Sequence, residues 1–600
     1  MASPSGGDYD FDPPVVVRST PGFNATNVTS NKIQIVFDEL VQIENPNEKV
    51  IVTPPQRRLP KIQAISNSII VELRDTLIEE TTYTIDFTDA IADNNEKNIL
   101  ENFSMSFSTG NVVDSLAVSG KVLIANNLEP VKGIYVGLHS DLNDSAFIKK
   151  AFDRISRTNE KGEFSIKGIA AGKYRLYALN DMNRSFRYEN QADAIAFLDS
   201  LIVPAHTKAF RPDTIFNADF SIDTIVNVAY TRLLPDDIVL KAFTSSFQRQ
   251  YLQKYERLTG DVLSIYFGGA TSLAEVKPLN FDGSKNWNVL ERSQYNDTLK
   301  YWIIDPEVIQ MDTIALQVSY IASDSLNNPV PQTDTLNFIS RKVRQPQKEE
   351  DKENVIFLEL RNNLKGIMNV YDVIDIKFSQ PVKDFDESKF SLQRVVDSVT
   401  YVNEKISVLG DSLSPLHYKI KHKWQPNAFY RFVVDSAAFH SYTGLANNKM
   451  NTSFKTKSLE EYGDLYINLS GLEIGKPAFV ELLNSSDSPV RKSYVKDGGV
   501  LFMNLDPGKY YARIVIDAND NGKWDTGDYY KKQQPEDVFY YNKYFEIKAY
   551  WNLEEDWNIR ALEIDKQKPE EITKNKPQRK ESRKKMMEQN DARSRQQGMN

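Results

Sequence analysis

Gly162, Gly172 and Asp181 recur as Gly498, Gly508 and Asp517, 336 residues further on in each case. A second pair of positions repeats as well: Tyr83 and Phe107 stand 24 residues apart, and so do Tyr430 and Phe454. Self-similarity at a fixed spacing constrains a fold more tightly than local propensity, because each copy has to bury the same face in the same way. A 600-residue chain carrying two such repeats divides into modules of ~100 residues, each with its own core.

The modules are built from strands. Ile33, Ile35 and Phe37 alternate with polar residues, as do Ile69 to Leu73 and Tyr83, Ile85 and Phe87, with Asn, Asp, Gly and Pro clusters between the runs. Short strands at roughly ten-residue spacing predict an all-β protein of tandem β-sandwiches. With 40% hydrophobic and 26% charged residues, each module can close a core. The formal charge of −9 argues against nucleic acid as a partner, since that needs a basic footprint. No run of 18 apolar residues is present, and the absence of cysteine excludes disulfides and thiolate chemistry.

In chain order the expected units are a tether over 1–12, sandwiches over 13–110, 113–219 and 220–340, a charged linker over 341–353, and sandwiches over 354–457 and 460–564. A basic tail over 565–600, with 11 Lys/Arg against 6 Asp/Glu and no apolar stripe, is expected to be disordered. It reads as a solvated end, and its net positive charge gives a contact to an anionic surface, such as lipid head groups or lipopolysaccharide phosphates, as the alternative. Ile195, Leu198 and Leu201 fall at helical spacing, so one short helix is expected over 191–201.

Ser19-Thr20-Pro21, Asn24 to Val28, Ile35 to Glu39, Tyr83 to Asp86 and Phe107 to Gly110 resemble the bacterial Ig-like domains of surface-layer and Bacteroidota surface proteins. Asn369 to Phe378, Phe429 to Phe432 and Ser453 to Thr456 repeat that pattern, and the weaker region 220–340 is assigned to a third Ig-like sandwich. Gly162-Glu-Phe164-Ser-Ile166 running into Gly172-Lys173-Tyr174 resembles the carboxypeptidase-regulatory or transthyretin-like sandwich, a fold that accompanies enzymes and performs no chemistry itself; 460–564 repeats it.

The most chemically specific stretch is Asp517 to Asp528. Calcium takes hard oxygen ligands from positions 1, 3, 5, 7, 9 and 12 of a twelve-residue loop. Those places hold Asp517, Asn519, Asn521, Lys523 (through its carbonyl), Asp525 and Asp528, with Gly522 at the sharp turn. The competing reading is an Asx-turn hairpin held without metal. The earlier copy, Asp181 to Asp193, lacks the glycine and carries Arg184 and Arg187, so it reads as a rigid loop descended from a metal site.

Nothing nominates a reaction. Gly410-Asp411-Ser412-Leu413 spells the nucleophile block of the GDSL hydrolases, but it lies mid-chain in a β-module, and Asp435 and His440 are wrongly spaced for its partners. His139, His206, His417, His422 and His440 have no metal spacing. Trp551 and Trp557, near Tyr540, Tyr541 and Tyr544, form either a strand-end core or an aromatic platform for glycans. Asp-Ser/Thr-aliphatic triplets, as at Thr76, Ser115 and Thr214, resemble the O-glycosylation acceptor sites of exported Bacteroidota proteins.

The small, acidic opening Met1 to Asp12 looks like the tether of a mature lipoprotein whose anchoring Cys has given way to a start Met. Together these resemblances imply a lipid-anchored surface or outer-membrane protein, with the periplasmic face as the other side on which it can sit. It is expected to be a non-enzymatic interaction scaffold, such as an accessory subunit of the barrel-insertion machine, with other outer-membrane proteins as partners and calcium as a structural cofactor. The alternative is an adhesin or glycan-binding surface protein using Trp551 and Trp557.

Overall fold

The computed structural model describes residues 10, 12–216, 222–246, 248–324, 328–340, 357–397, 400–473 and 475–576. Most of the expected tether and linker therefore lie outside the described residues. The regular structure described is almost wholly strand, with only single helical turns between strands.

In the first module, strands Val16–Thr20, Lys32–Phe37, Ser68–Glu72 and Lys61–Ile65 form one sheet in that order. A second sheet runs Phe103–Ser108, Thr82–Thr88, Ile51–Thr53. The alternation read from the sequence becomes the burial pattern directly: Ile33, Ile35 and Phe37 point inward against Ile69, Val71, Ile85, Phe87 and Phe107. Tyr83 stacks on Phe107 with ring centroids 5.5 Å apart, and its hydroxyl accepts the Ile78 N–H at 2.9 Å. The fourth module repeats both contacts. Tyr430 stacks on Phe454 at 5.6 Å, and its hydroxyl accepts the Gln425 N–H at 3.0 Å.

The second and fifth sandwiches also share a topology. Sheet Glu163–Ile169, Leu116–Ile124, Ile238–Ala242 corresponds to Gly499–Leu505, Gly463–Ser470, Asn552–Asn558, and in each the third strand named joins the central one in parallel. The opposing sheets correspond likewise: Arg154–Arg157, Tyr135–His139, Arg175–Leu179, Ile195–Phe197 against Pro489–Tyr494, Ala478–Leu483, Gly508–Ile516, Val538–Tyr540.

Three expectations are corrected. The 191–201 region holds a strand, Ile195–Phe197, because Ile195 and Phe197 bury on an open sheet edge beside Leu179 and Tyr177. The boundary at 220 falls inside a hairpin: Ala205–Phe216 and Ile222–Leu234 pair along their length, and the chain returns to give Ile238–Ala242 to the second module. The next core starts at Leu252–Thr259, packing Leu263, Ile265, Leu299, Ile314, Leu316 and Phe338. Third, the tail is ordered as far as Lys576, with single turns at Ile564–Lys566 and Glu570–Ile572; residues 577–600 lie outside the described part.

That ordering has a partner far away in the chain. Ile572 is buried with Leu123 and Leu128 of the second module and Phe479, Leu483, Tyr511 and Val538 of the fifth. Beside it the Lys568 ammonium lies 2.6 Å from Glu129 and 2.7 Å from Asp487, all three side chains almost fully enclosed. Tyr529 of the fifth module enters the aromatic cluster of the second, edge-on to Phe147 at 5.1 Å and Phe197 at 5.5 Å. The second and fifth sandwiches thus share a core although more than 200 residues separate them.

Candidate functional site

The 517–528 loop leaves strand Gly508–Ile516 of the fifth module. Asp517 is fully buried; its Oδ1 accepts the Asn521 N–H at 3.0 Å and its Oδ2 that of Gly522 at 2.7 Å. Asp525 Oδ2 accepts the side-chain amides of Asn519 and Asn521, both at 2.6 Å. Asp517, Asn519, Asn521 and Asp525 are thereby tied into one hydrogen-bonded loop. Gly522 takes a φ of +73°, where a Cβ would also meet the Tyr494 hydroxyl.

One of the expected ligands, Asp528, faces elsewhere, and the Lys523 side chain, whose carbonyl is the expected ligand, points away from the loop. Asp528 is turned to the following bend, where Oδ1 accepts the Tyr530 and Lys531 N–H groups at 2.9 and 3.2 Å. Lys523 sends its ammonium outward to the Tyr295 hydroxyl at 3.1 Å. In place of Asp528 stands Glu536, whose carboxylate accepts the Ala518 N–H at 2.7 Å and the Asp525 N–H at 2.9 Å. Burial pushes the Glu536 carboxyl above its ordinary range, and the charges of Asp525 and Asp517 push the same way against its two backbone hydrogen bonds. Loop spacing cannot find Glu536, because it comes from the far side of the turn. Among the described residues no three Asp, Glu, His or Cys side chains gather tightly enough to hold a metal, so a cation here depends on amide and carbonyl oxygens too.

The twin loop has the same frame. Asp181 accepts the N–H groups of Asn183, Arg184 and Phe186, and Asn183 donates to Glu189 at 3.2 Å as Asn519 does to Asp525. Arg184 and Phe186 take the positive φ values that Asp520 and Gly522 take in the later copy. Here Arg187 pairs with Glu189, so the loop carries its own cation.

The remaining sequence candidates disperse. The Asp411 carboxylate accepts the Leu413 N–H at 2.9 Å in a turn, while Asp435 pairs with Lys449 and His440 with Asp384, so the GDSL block has no triad. His139 is buried between Phe152 and Tyr177, and burial pushes its pKa down. Tyr540, Tyr541 and Trp557 belong to cores, Trp557 edge-on to Tyr541 at 5.6 Å; only Trp551 of the expected aromatic pair is exposed. Thr76 and Ser115 are exposed.

A feature that sequence reasoning missed is the hairpin 205–234. It stands off the second module as a two-stranded ribbon, and Phe210, Ile215, Ile225, Val226, Val228 and Tyr230 are all exposed on it, Phe210 to 73%. The two strands pair from Ala205/Leu234 with no slip until Ile215/Phe216, but both faces of the ribbon are wet, so its sequence lacks the alternation that marks a core strand.

Residues 10–109 match the family model of the bacterial Ig-like domain. The first module is such a domain, in an all-β chain of tandem sandwiches. No curated protein matches the chain in sequence. Among solved structures, the major pilin subunit of Bacillus cereus is similar at 9% identity and TM-score 0.12, over 74% of this chain and 98% of that one. The N-terminal part of the bacterial S-layer protein SbsC is similar at 16% and 0.13, over 28% and 40%. A Bacteroides ovatus protein of a mixed-linkage glucan utilisation locus, solved with a heptasaccharide, is similar at 8% and 0.15, over 73% and 94%.

Proposed function

We propose that this chain is a non-enzymatic interaction scaffold at the cell surface, held by a lipid anchor in the outer membrane of a Bacteroidota-type cell. In this reading it serves as an accessory subunit of an outer-membrane assembly such as the barrel-insertion machine. The observation that carries the proposal is the 205–234 ribbon: soluble monomers rarely hold six large apolar side chains out in water on one projecting element. Both long edges of a two-stranded ribbon also offer unpaired backbone groups, which a partner strand can join. The shared core of the second and fifth modules gives that arm a rigid base.

Calcium belongs to the reading as a structural cation. Asp517, Asn519, Asn521, Asp525, the Lys523 carbonyl and Glu536 would hold it, with Asp528 left out; bound there it would neutralise three acids and stiffen the loop. The adhesin reading loses Trp557 to the core and keeps Trp551, with Tyr544 and Tyr550 exposed near it. Co-purification from detergent-solubilised native membranes tests the proposal. A barrel protein retained in stoichiometric amount supports it, and a chain that runs alone sinks it.

A further inference from the structure

A cleft of about 1030 Å³ opens between the first and second modules. For a chain of net charge −9 its walls are unusual: Arg57, Lys149, Lys150, Arg154, Arg184 and Arg187 line it, against Asp153 as the sole acid. Three of these cations are compensated from behind. Lys150 lies 2.6 Å from Asp141, Arg187 pairs with Glu189, and Arg154 is 3.9 Å from Asp114 while its Nε donates to the Gly168 carbonyl. Arg57, Lys149 and Arg184 form no ion pair among the described residues; the Arg184 guanidinium donates only to the Asn47 carbonyl, at 2.8 Å. A concave site with low-dielectric walls concentrates such a field on whatever enters it.

Two of the cations come from the twin loop. Asp181 fixes its backbone, and Phe186 anchors it by packing edge-on to Tyr135 at 5.3 Å, so Arg184 and Arg187 are held on the cleft wall. The fifth module has Asp520 and Lys523 at those two loop positions. The same loop frame therefore carries a cation, Arg184, in the earlier copy where the later one has the acid Asp520, while the second position is basic in both.

We infer that this cleft binds an oligosaccharide chain bearing anionic groups, phosphate or carboxylate. Arginine forks suit both groups, and hydroxyls of Thr81, Ser140 and Ser185 on the same walls suit sugar hydroxyls. The volume is at the upper end for small-ligand sites and takes several linked sugars. An acidic peptide finds no ladder to extend. The outer edge of Ile51–Thr53 is covered where Ile155 donates to Thr53 Oγ1 at 2.9 Å, and the chain continues as Pro54-Pro55, which has no N–H to offer.

The test is calorimetric titration of the full chain with oligogalacturonate, a phosphorylated mannan oligosaccharide, a neutral cello-oligosaccharide and a poly-glutamate peptide. One or both anionic glycans are expected to bind, more weakly as salt rises, the stronger of the two identifying the anionic group. Lys149→Glu, on an exposed side chain, and the triple variant Arg57→Gln, Lys149→Gln, Arg184→Gln should each weaken that binding tenfold or more while Lys149→Glu keeps the wild-type melting temperature. Equal binding of the neutral glycan, tighter binding of poly-glutamate, unchanged binding by Lys149→Glu, or no binding of either anionic glycan at millimolar concentration would overturn the inference.

Discussion

Asp181 Oδ2 accepts the backbone N–H of Phe186 at 2.6 Å, and five residues beyond Asp517 the Gly522 N–H is held in the same way at 2.7 Å. The twin lacks the glycine and carries arginines, yet keeps the turn. One buried aspartate bonded to the N–H groups that follow it is thus sufficient to define this loop. A cation at the later copy would add stiffness to a shape the protein chain already makes.

Millimolar calcium is expected to raise the melting temperature of the wild-type chain and of Asp528→Asn, and to have little effect on Glu536→Gln. Asp517→Ala should cost about 2 to 4 kcal/mol with or without metal, since two backbone donors lose a charged partner. Because the folded pKa of Glu536 is raised, its contribution without metal is full at low pH and is lost as pH rises through that raised value. Calcium stabilisation should therefore grow over the same pH interval. Thermal melts with calcium and with chelator measure this, and a melting temperature indifferent to both in the wild type defeats the calcium proposal.

Gly522→Ala should destabilise the fifth module by about 1 to 3 kcal/mol, since Ala must adopt a left-handed φ. Its Cβ also meets the Tyr494 hydroxyl, so adding Tyr494→Phe should recover part of the loss. A double-mutant cycle in denaturant would show the coupling.

Lys568→Met strands two enclosed carboxylates, Glu129 and Asp487, at an expected cost of about 3 to 5 kcal/mol. Burial pushes Glu129 up, but the hydrogen bonds from Lys568 and the N–H groups of Lys574 and Asn575 outweigh it and hold the carboxyl below its usual 4.5. With a lowered folded pKa, its stabilisation is present above the ordinary carboxylate range and is lost as pH falls through the lowered value. Acid titration should separate the second and fifth modules at a higher pH in Lys568→Met than in the wild type, read as loss of hydrogen-exchange protection in the segment around Tyr529.

Tyr83→Phe and Tyr430→Phe each remove one hydroxyl acceptor, from Ile78 and Gln425, at about 0.5 to 1.5 kcal/mol. The two sit in separate modules, so the double variant should show additive losses in equilibrium unfolding.

Much of this architecture was readable in advance where the pattern is local or repeated. The 24-residue spacing of Tyr83 and Phe107 found a stacked pair, and the 336-residue offset found two loops with one frame. What was misread depends on contacts distant in sequence. Lys568 sits in a run of charge that looks solvated, and its partners lie 439 and 81 residues back along the chain. Ile195, Leu198 and Leu201 fit a helix as well as a strand until the open edge beside Leu179 decides. Asp528 had the right number in the loop but the wrong direction, and Glu536 the reverse.

The central claim is that the ribbon engages a partner at the membrane. Ala205 and Leu234 are paired at its base, so residues 207–232 can be replaced by a short glycine turn that leaves Ile238–Ala242 in its sheet. The measurement is quantitative co-purification of outer-membrane proteins with the full chain and with the shortened chain, at equal abundance and equal melting temperature. A stoichiometric barrel protein held by the full chain and lost from the shortened one is the predicted result; equal recovery with both chains would contradict it.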